Sequence, residues 1–192
     1  MTMLKPTIAP AIAAASPPTS PPPWPPELIR LRSGDPEALA ECYRRHAGAL
    51  LLVVYRLTAS WADAEDVVHD AFVALPEALS RYEERGQFAA WLTRVAIRLA
   101  LRRQRREFRF SSMDTVPPPT VGTTTPDHIV PPRVHAALAA LSPTLRHVFV
   151  LRTVHDMSHA DIGALLGISA GTSEVRYHRA VKALRRTLEV SV

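Results

Sequence analysis

Proline placement divides this chain before any other feature is read. Nine of its 18 prolines fall in residues 1–26, and six more fall in residues 110–132. Proline fixes φ and lacks a backbone N–H, so neither stretch can be the interior of a helix or sheet. The first ends in Pro21-Pro22-Pro23-Trp24-Pro25-Pro26. It carries too little apolar surface to offset its ordering entropy, so residues 1–26 are predicted to be a disordered tail. The second contains Pro117-Pro118-Pro119 and Pro131-Pro132, and residues 110–132 are predicted to be a flexible linker. Two blocks remain, residues 27–109 and 133–192, each the size of a small domain.

Both blocks read as helices. Helical patterning in the first begins at Asp35-Pro36-Glu37, where Asp35 can cap, Pro36 suits the first helical position and Glu37 complements the positive helix end. Leu39, Cys42, Tyr43, Leu50, Val53, Val54 and Leu57 then recur at helical spacing. A second helix is predicted from Ser60 or Asp63, ended or kinked by Pro76, and Ser80 to Gln87 reads as a polar loop. A third runs from about Phe88 to Arg106. The second block reads as four helices, over 134–141, 143–154, 158–166 and 170–190. No strand pattern competes. The predicted fold is all-α: two small helical domains joined by a flexible Pro-rich linker, the C-terminal one a helix-turn-helix.

That last assignment rests on His159 to Arg179. Ser158 can cap one helix with Asp161 three residues on, and Gly167 stands where the chain must leave it in a left-handed conformation. Ile168 fills the corner and Ser169 caps the next helix, whose N-terminal part would enter a DNA major groove. Gly171, Thr172, Ser173, Glu174, Arg176 and Tyr177 are expected to be exposed there, followed by Arg179. Arg176 can read guanine or hold a phosphate, and the sequence does not separate the two.

Charge defines two further surfaces. The chain carries a net charge of +5, but residues 28–87 have a net of −3, residues 88–109 a net of +6 and residues 133–192 a net of +4. Asp63, Asp66 and Asp70 fall three and four apart, hence on one helix face, flanked by Glu65 and His69. Arg98, Arg102, Arg103, Arg105, Arg106 and Arg109 give the third helix a basic face beside Phe88 and Trp91. Such a face could follow a nucleic-acid backbone while aromatics touch bases. An acidic surface next to two basic ones implies two kinds of partner, one of them a protein.

These three surfaces occur in an order that resembles the extracytoplasmic-function (ECF) sigma factors of bacterial RNA polymerase. Asp63-Ala64-Glu65-Asp66-Val67-Val68-His69-Asp70-Ala71-Phe72 and Gly86-Gln87-Phe88-Ala89-Ala90-Trp91-Leu92-Thr93-Arg94-Val95-Ala96 resemble parts of region two, and Leu141-Ser142-Pro143 to Leu184-Arg185 resembles region four. The resemblance implies that residues 27–109 dock on core RNA polymerase through Asp63, Glu65, Asp66, His69 and Asp70. It implies that the same block opens and reads the minus-ten element through Tyr82, Arg85, Trp91, Arg94, Arg98 and Arg102, with the Ser80 to Gln87 loop taking a flipped base. Residues 133–192 would read the minus-thirty-five element of promoter DNA, and an anti-sigma factor is a further implied partner. Pro76, Arg98, Arg102, Ser173 and Glu174 depart from residues common in the family, so promoter sequence does not transfer from relatives.

Other classes fit less of the chain. A free-standing helix-turn-helix regulator would account for residues 133–192 alone. His155 and His159 have a spacing that can bind metal, but no third ligand is evident. No nucleophile-base pair is apparent, so neither catalysis nor a cofactor is expected. Cys42 is the one cysteine, expected in the core, and suits a reducing cytoplasm. The apolar run Ala47 to Tyr55 is too short to cross a membrane, so no membrane insertion is expected.

Overall fold

The computed structural model describes residues 24–111 and 131–189. Most of the predicted tail and linker therefore lies outside the described residues. Every regular element among those described is helical.

The N-terminal group comprises α1 (Pro26–Arg32), α2 (Pro36–Thr58), α3 (Trp61–Val73), α4 (Leu75–Ala78) and α5 (Phe88–Ser111), with a single 3-10 turn at Leu79–Arg81 after α4. Asp35 caps α2 as its position predicts, accepting from the Glu37 and Ala38 amides at 2.9 and 3.1 Å. Arg30 donates to the other oxygen of the same carboxylate at 2.8 Å. That hydrogen bond, then the helix amides, hold the Asp35 carboxyl down at about 2. Ser60 caps α3 through the Asp63 amide. Helices α2, α3 and α5 then pack on one another through Leu50, Val54, Leu57, Val67, Val68, Leu92 and Ile97, all essentially removed from solvent. At ~25 cal/mol per Å², such burial is the main source of stability for three helices of this length.

Three details depart from the sequence reading. Helix α1 buries Leu28 and Leu31 against this core; two apolar residues in seven are too few to show a period, and Pro26 reads as the end of a proline run. Helix α3 stops at Val73, three residues before Pro76 and not at the proline itself. Pro76 sits in the first turn of α4, where its missing N–H costs nothing. The segment after α4 is not uniformly polar in its setting, because Tyr82 and Glu84 are buried within it.

The C-terminal group comprises α6 (Pro132–Ala139), α7 (Pro143–Thr153), α8 (His159–Leu166) and α9 (Ala170–Glu189). Ser158 caps α8, and its hydroxyl also donates to the Asp161 carboxylate at 2.6 Å. Gly167 takes the left-handed conformation at φ +70 that ends α8. Val148, Val150, Leu151, Ile162, Ala180 and Leu184 form the core among α7, α8 and α9.

Gly163 sets how closely α8 approaches the turn. A Cβ built there would stand 2.6 Å from the Ile168 carbonyl oxygen, a backbone atom that cannot swing aside. Gly163→Ala should therefore cost about 1–3 kcal/mol through overpacking. Calorimetry of the full chain should show a fall of several degrees in the melting transition that contains α8 and α9.

Candidate nucleic-acid and protein interfaces

Helix α3 turns Ala64, Val67, Val68 and Ala71 inward, which leaves Glu65, Asp66, His69 and Asp70 exposed. The predicted acidic face is present but not uniform. Arg103 of α5 reaches Asp66 at 2.8 Å and the half-buried Asp63 at 3.5 Å, so these two carboxylates are tied within the chain. Glu65 and Asp70 lie outside that arrangement. Two exposed apolar side chains lie by the C-terminal end of this helix, Val73 at 68% on α3 and Tyr43 at 46% on α2. Tyr43 leans on Phe72 with ring centroids 4.9 Å apart. An acidic helix face with an apolar edge suits a protein partner better than a polyanion.

On α5, Arg94, Arg98 and Arg102 are spaced four apart and all exposed. They line a cleft of about 800 Å³ together with Arg105, and the opposite wall is His155, Asp156, Asp161 and Leu165 of the C-terminal group. Trp91 is half-buried at the other end of the helix. It belongs to an aromatic cluster in which Tyr82 lies 4.8 Å from Trp91, 5.9 Å from Phe88 and 5.8 Å from Trp24. Tyr82 is only 6% exposed, which corrects its expected place as a base contact: its ring is committed to packing against Trp24 and α5. Burial, then the neighbouring Glu84, raise its phenol pKa. Arg85 does point to solvent and pairs with Glu83 at 2.5 Å. Buried Glu84 accepts from the Gly86 amide and so folds the loop tip.

Helix α9 begins as predicted, with the Ser169 hydroxyl accepting from the Thr172 amide at 3.0 Å. Ser173, expected on the exposed face, is instead fully buried and shares a 2.9 Å hydrogen bond with His159 Nδ1. Its position on the wheel explains this. Ser173, Ala180 and Leu184 form one inner line, and at about 100° per residue Arg176 and Tyr177 lie within about 60° of it. Both are half-buried, and Tyr177 stacks on Phe149 at 6.1 Å. Gly171, Thr172, Glu174 and Arg179 are exposed as expected. Val175 and His178, which motif reading passed over, complete the outer face together with Lys182. Counting from the apolar Ala180 and Leu184 would have found them. The hydrogen bond to Ser173 also engages His159, while His155 is half-buried in the turn before α8. The two imidazoles are therefore not paired on a helix face, and no three potential ligands gather among the described residues.

Both helical groups have counterparts among known proteins. Residues 42–110 match Sigma-70 region 2, and residues 133–184 match Sigma-70, region 4. The RNA polymerase sigma factor CarQ of Myxococcus xanthus is 33% identical over 163 residues, which are 83% of this chain and 94% of CarQ. The chain belongs to the ECF family of RNA polymerase sigma factors. The ECF sigma factor SigL of Mycobacterium tuberculosis is 34% identical, over 77% of this chain and 86% of SigL. Among solved structures, CnrH in complex with the cytosolic domain of CnrY superposes with a TM-score of 0.52 at 27% identity, covering 86% of this chain and 97% of that one. The region 2 match also accounts for the N-terminal group, which a free-standing regulator would leave without a role.

In this sigma factor the two regions are joined by reciprocal caps. Arg146 of α7, 5% exposed, donates from Nε to the Leu57 carbonyl at 3.0 Å, in the last turn of α2. Arg105 of α5 donates to the Leu165 and Leu166 carbonyls at 3.3 and 2.9 Å, at the end of α8. Each guanidinium meets the negative end of a helix in the other region. Between them, His147 Nε2 lies 2.5 Å from the Gln104 side-chain oxygen, and His135 stacks on Tyr55 at 4.6 Å.

Burial, then the nearby Arg146 and Arg105, push His147 down to about 4. His135 and His155 are lowered by burial as well, with Arg146 and Arg56 adding to it. A lowered histidine holds the seam closed while neutral, so stability is full above about 6.5 and is lost as pH falls from there to about 4. The His147 share is on the order of 3 kcal/mol. Small-angle scattering of the full chain should show the two regions separating over that pH interval. His147→Gln, which keeps a donor for Gln104, should flatten the response.

Proposed function

We propose that this sigma factor binds core RNA polymerase through the outer face of α3 and promoter DNA through α5 and α9. The observation that carries the assignment is the segregation of charge: one acidic face with an apolar edge, and two basic faces on separate helices. Glu65, Asp66, His69 and Asp70, with Tyr43 and Val73, are the polymerase-facing set. Asp63 and Asp66 orient α3 on α5 through Arg103, a partly exposed pairing that contributes about 1 kcal/mol. Arg94, Arg98 and Arg102 follow the phosphates of the minus-ten element, with Arg85 at the loop tip. The outer face of α9 enters the major groove at the minus-thirty-five element. Binding two weak elements from one polymerase-held chain gains through effective concentration.

The chain acts by binding, without covalent chemistry of its own, and works in the cytoplasm where its polymerase and promoter are. No described helix is long and apolar enough to cross a membrane. The likeness to CnrH, solved with a partner protein, supports a protein inhibitor as the third partner.

Transcription from a promoter library with core polymerase and the full chain tests the assignment, and the absence of any chain-dependent transcript would overturn it. Glu65→Lys with Asp70→Lys should weaken holoenzyme assembly about tenfold, since both charges sit at a complementary interface and outside the Arg103 pairs. Fluorescence titration against core polymerase reads this directly. Arg176→Ala should weaken binding uniformly across DNA sequences and reduce the salt slope by about 1, because its flanking position favours a phosphate over a base.

A further inference from the structure

Val175 is the point on α9 that the DNA-binding assignment leaves without a purpose. It is 50% exposed, in an outer face that is otherwise polar or basic: Thr172, Glu174, His178, Arg179 and Lys182. It lies about 160° from the buried line of Ser173, Ala180 and Leu184, which makes it one of the outermost side chains of the helix. A β-branched side chain here leaves half of its surface open and is stiff at χ1. It presents two methyl groups in one orientation.

Gly171 supplies the second, independent observation. It stands one helical turn before Val175 on the same outer line. Its backbone is not in the left-handed region, and no heavy atom lies within 4 Å of where a Cβ would stand. Nothing in this chain therefore calls for glycine, which is the weakest helix former after proline. The missing side chain leaves the outer line open one turn before Val175. An open backbone at the helix end assigned to DNA lets a base come close.

We propose that Gly171 and Val175 form an apolar seat for the C5-methyl group of a thymine in the minus-thirty-five element. Thymine is the unmodified base that places an apolar group in the major groove. The seat would select it by burying that methyl group, while Glu174 and Arg179 on either side act on neighbouring polar base edges or phosphates. This rests on the assignment of α9 to promoter DNA, and it names a base and the residues that select it.

The test uses holoenzyme built from the full chain and core polymerase. Duplex libraries randomised over the minus-thirty-five region are prepared either with thymine or with deoxyuridine, which lacks only the methyl group. The native chain should enrich thymine at one position, or two adjacent ones, about fourfold over uracil at the same position, the value of one buried methyl. Val175→Ala should select thymine and uracil equally while retaining preferences elsewhere in the element. Gly171→Ala should lose the thymine preference although it favours the helix, so a melting temperature that holds or rises excludes misfolding as the cause. Equal enrichment of thymine and uracil by the native chain, with selectivity kept at other positions, would overturn the seat and leave the DNA-binding assignment intact. Absence of base selectivity throughout the element would overturn both.

Discussion

A guanidinium driven into the end of a neighbouring helix is the contact around which the rest of this structure is arranged. Arg146 is nearly devoid of solvent, and desolvation alone lowers its pKa. Its Nε proton meets the Leu57 carbonyl, a group that α2 cannot satisfy internally because the helix ends one residue later. A charge buried this deeply is costly unless its protons are accepted. The position of α7 on α2 is therefore set by a polar requirement as well as by apolar area. His135 on Tyr55 and His147 on Gln104 take their places from that docking, and Arg105 closes the seam from the other side.

How much of this could be read from the chain depends on the range of the interaction. Helices α2, α3, α8 and α9 were legible because their determinants are local: Asp35, Ser60, Ser158 and Ser169 cap within three residues, and Gly167 marks its own turn. Helix α1 was not, since seven residues with two leucines carry no period. Ser173 was misjudged because a small polar residue gives no apolar signal, and its partner His159 is fourteen positions away. Tyr82 looked available because the loop around it is charged, whereas Trp24 comes to it from the segment before α1, and Phe88 and Trp91 from α5. Arg103 read as one more cation in a basic run, and only the crossing of α3 and α5 brings it to Asp63 and Asp66.

The three surfaces differ in how open they are. The α3 face and the outer face of α9 are exposed in the arrangement described. The arginines of α5 instead face a cleft whose far wall carries Asp156 and Asp161. A promoter strand reaching Arg94, Arg98 and Arg102 has to enter that cleft or find the regions drawn apart. Burial of His147 disfavours its protonation, so acidification works against the closed form.

The internal use of arginine also changes what the basic composition means for DNA. Cations released from a duplex are displaced only by side chains that reach its phosphates, and the steepness of salt dependence counts those contacts. Arg103 is neutralised by α3, while Arg105 and Arg146 face helix carbonyls. These three charges enter the formal total yet displace no counterions while so engaged. The closed chain is accordingly a weaker polyelectrolyte ligand than its sequence suggests. Separation of the two regions would return two of these arginines to the ionic atmosphere of the promoter, so shape and salt sensitivity are linked properties of this fold.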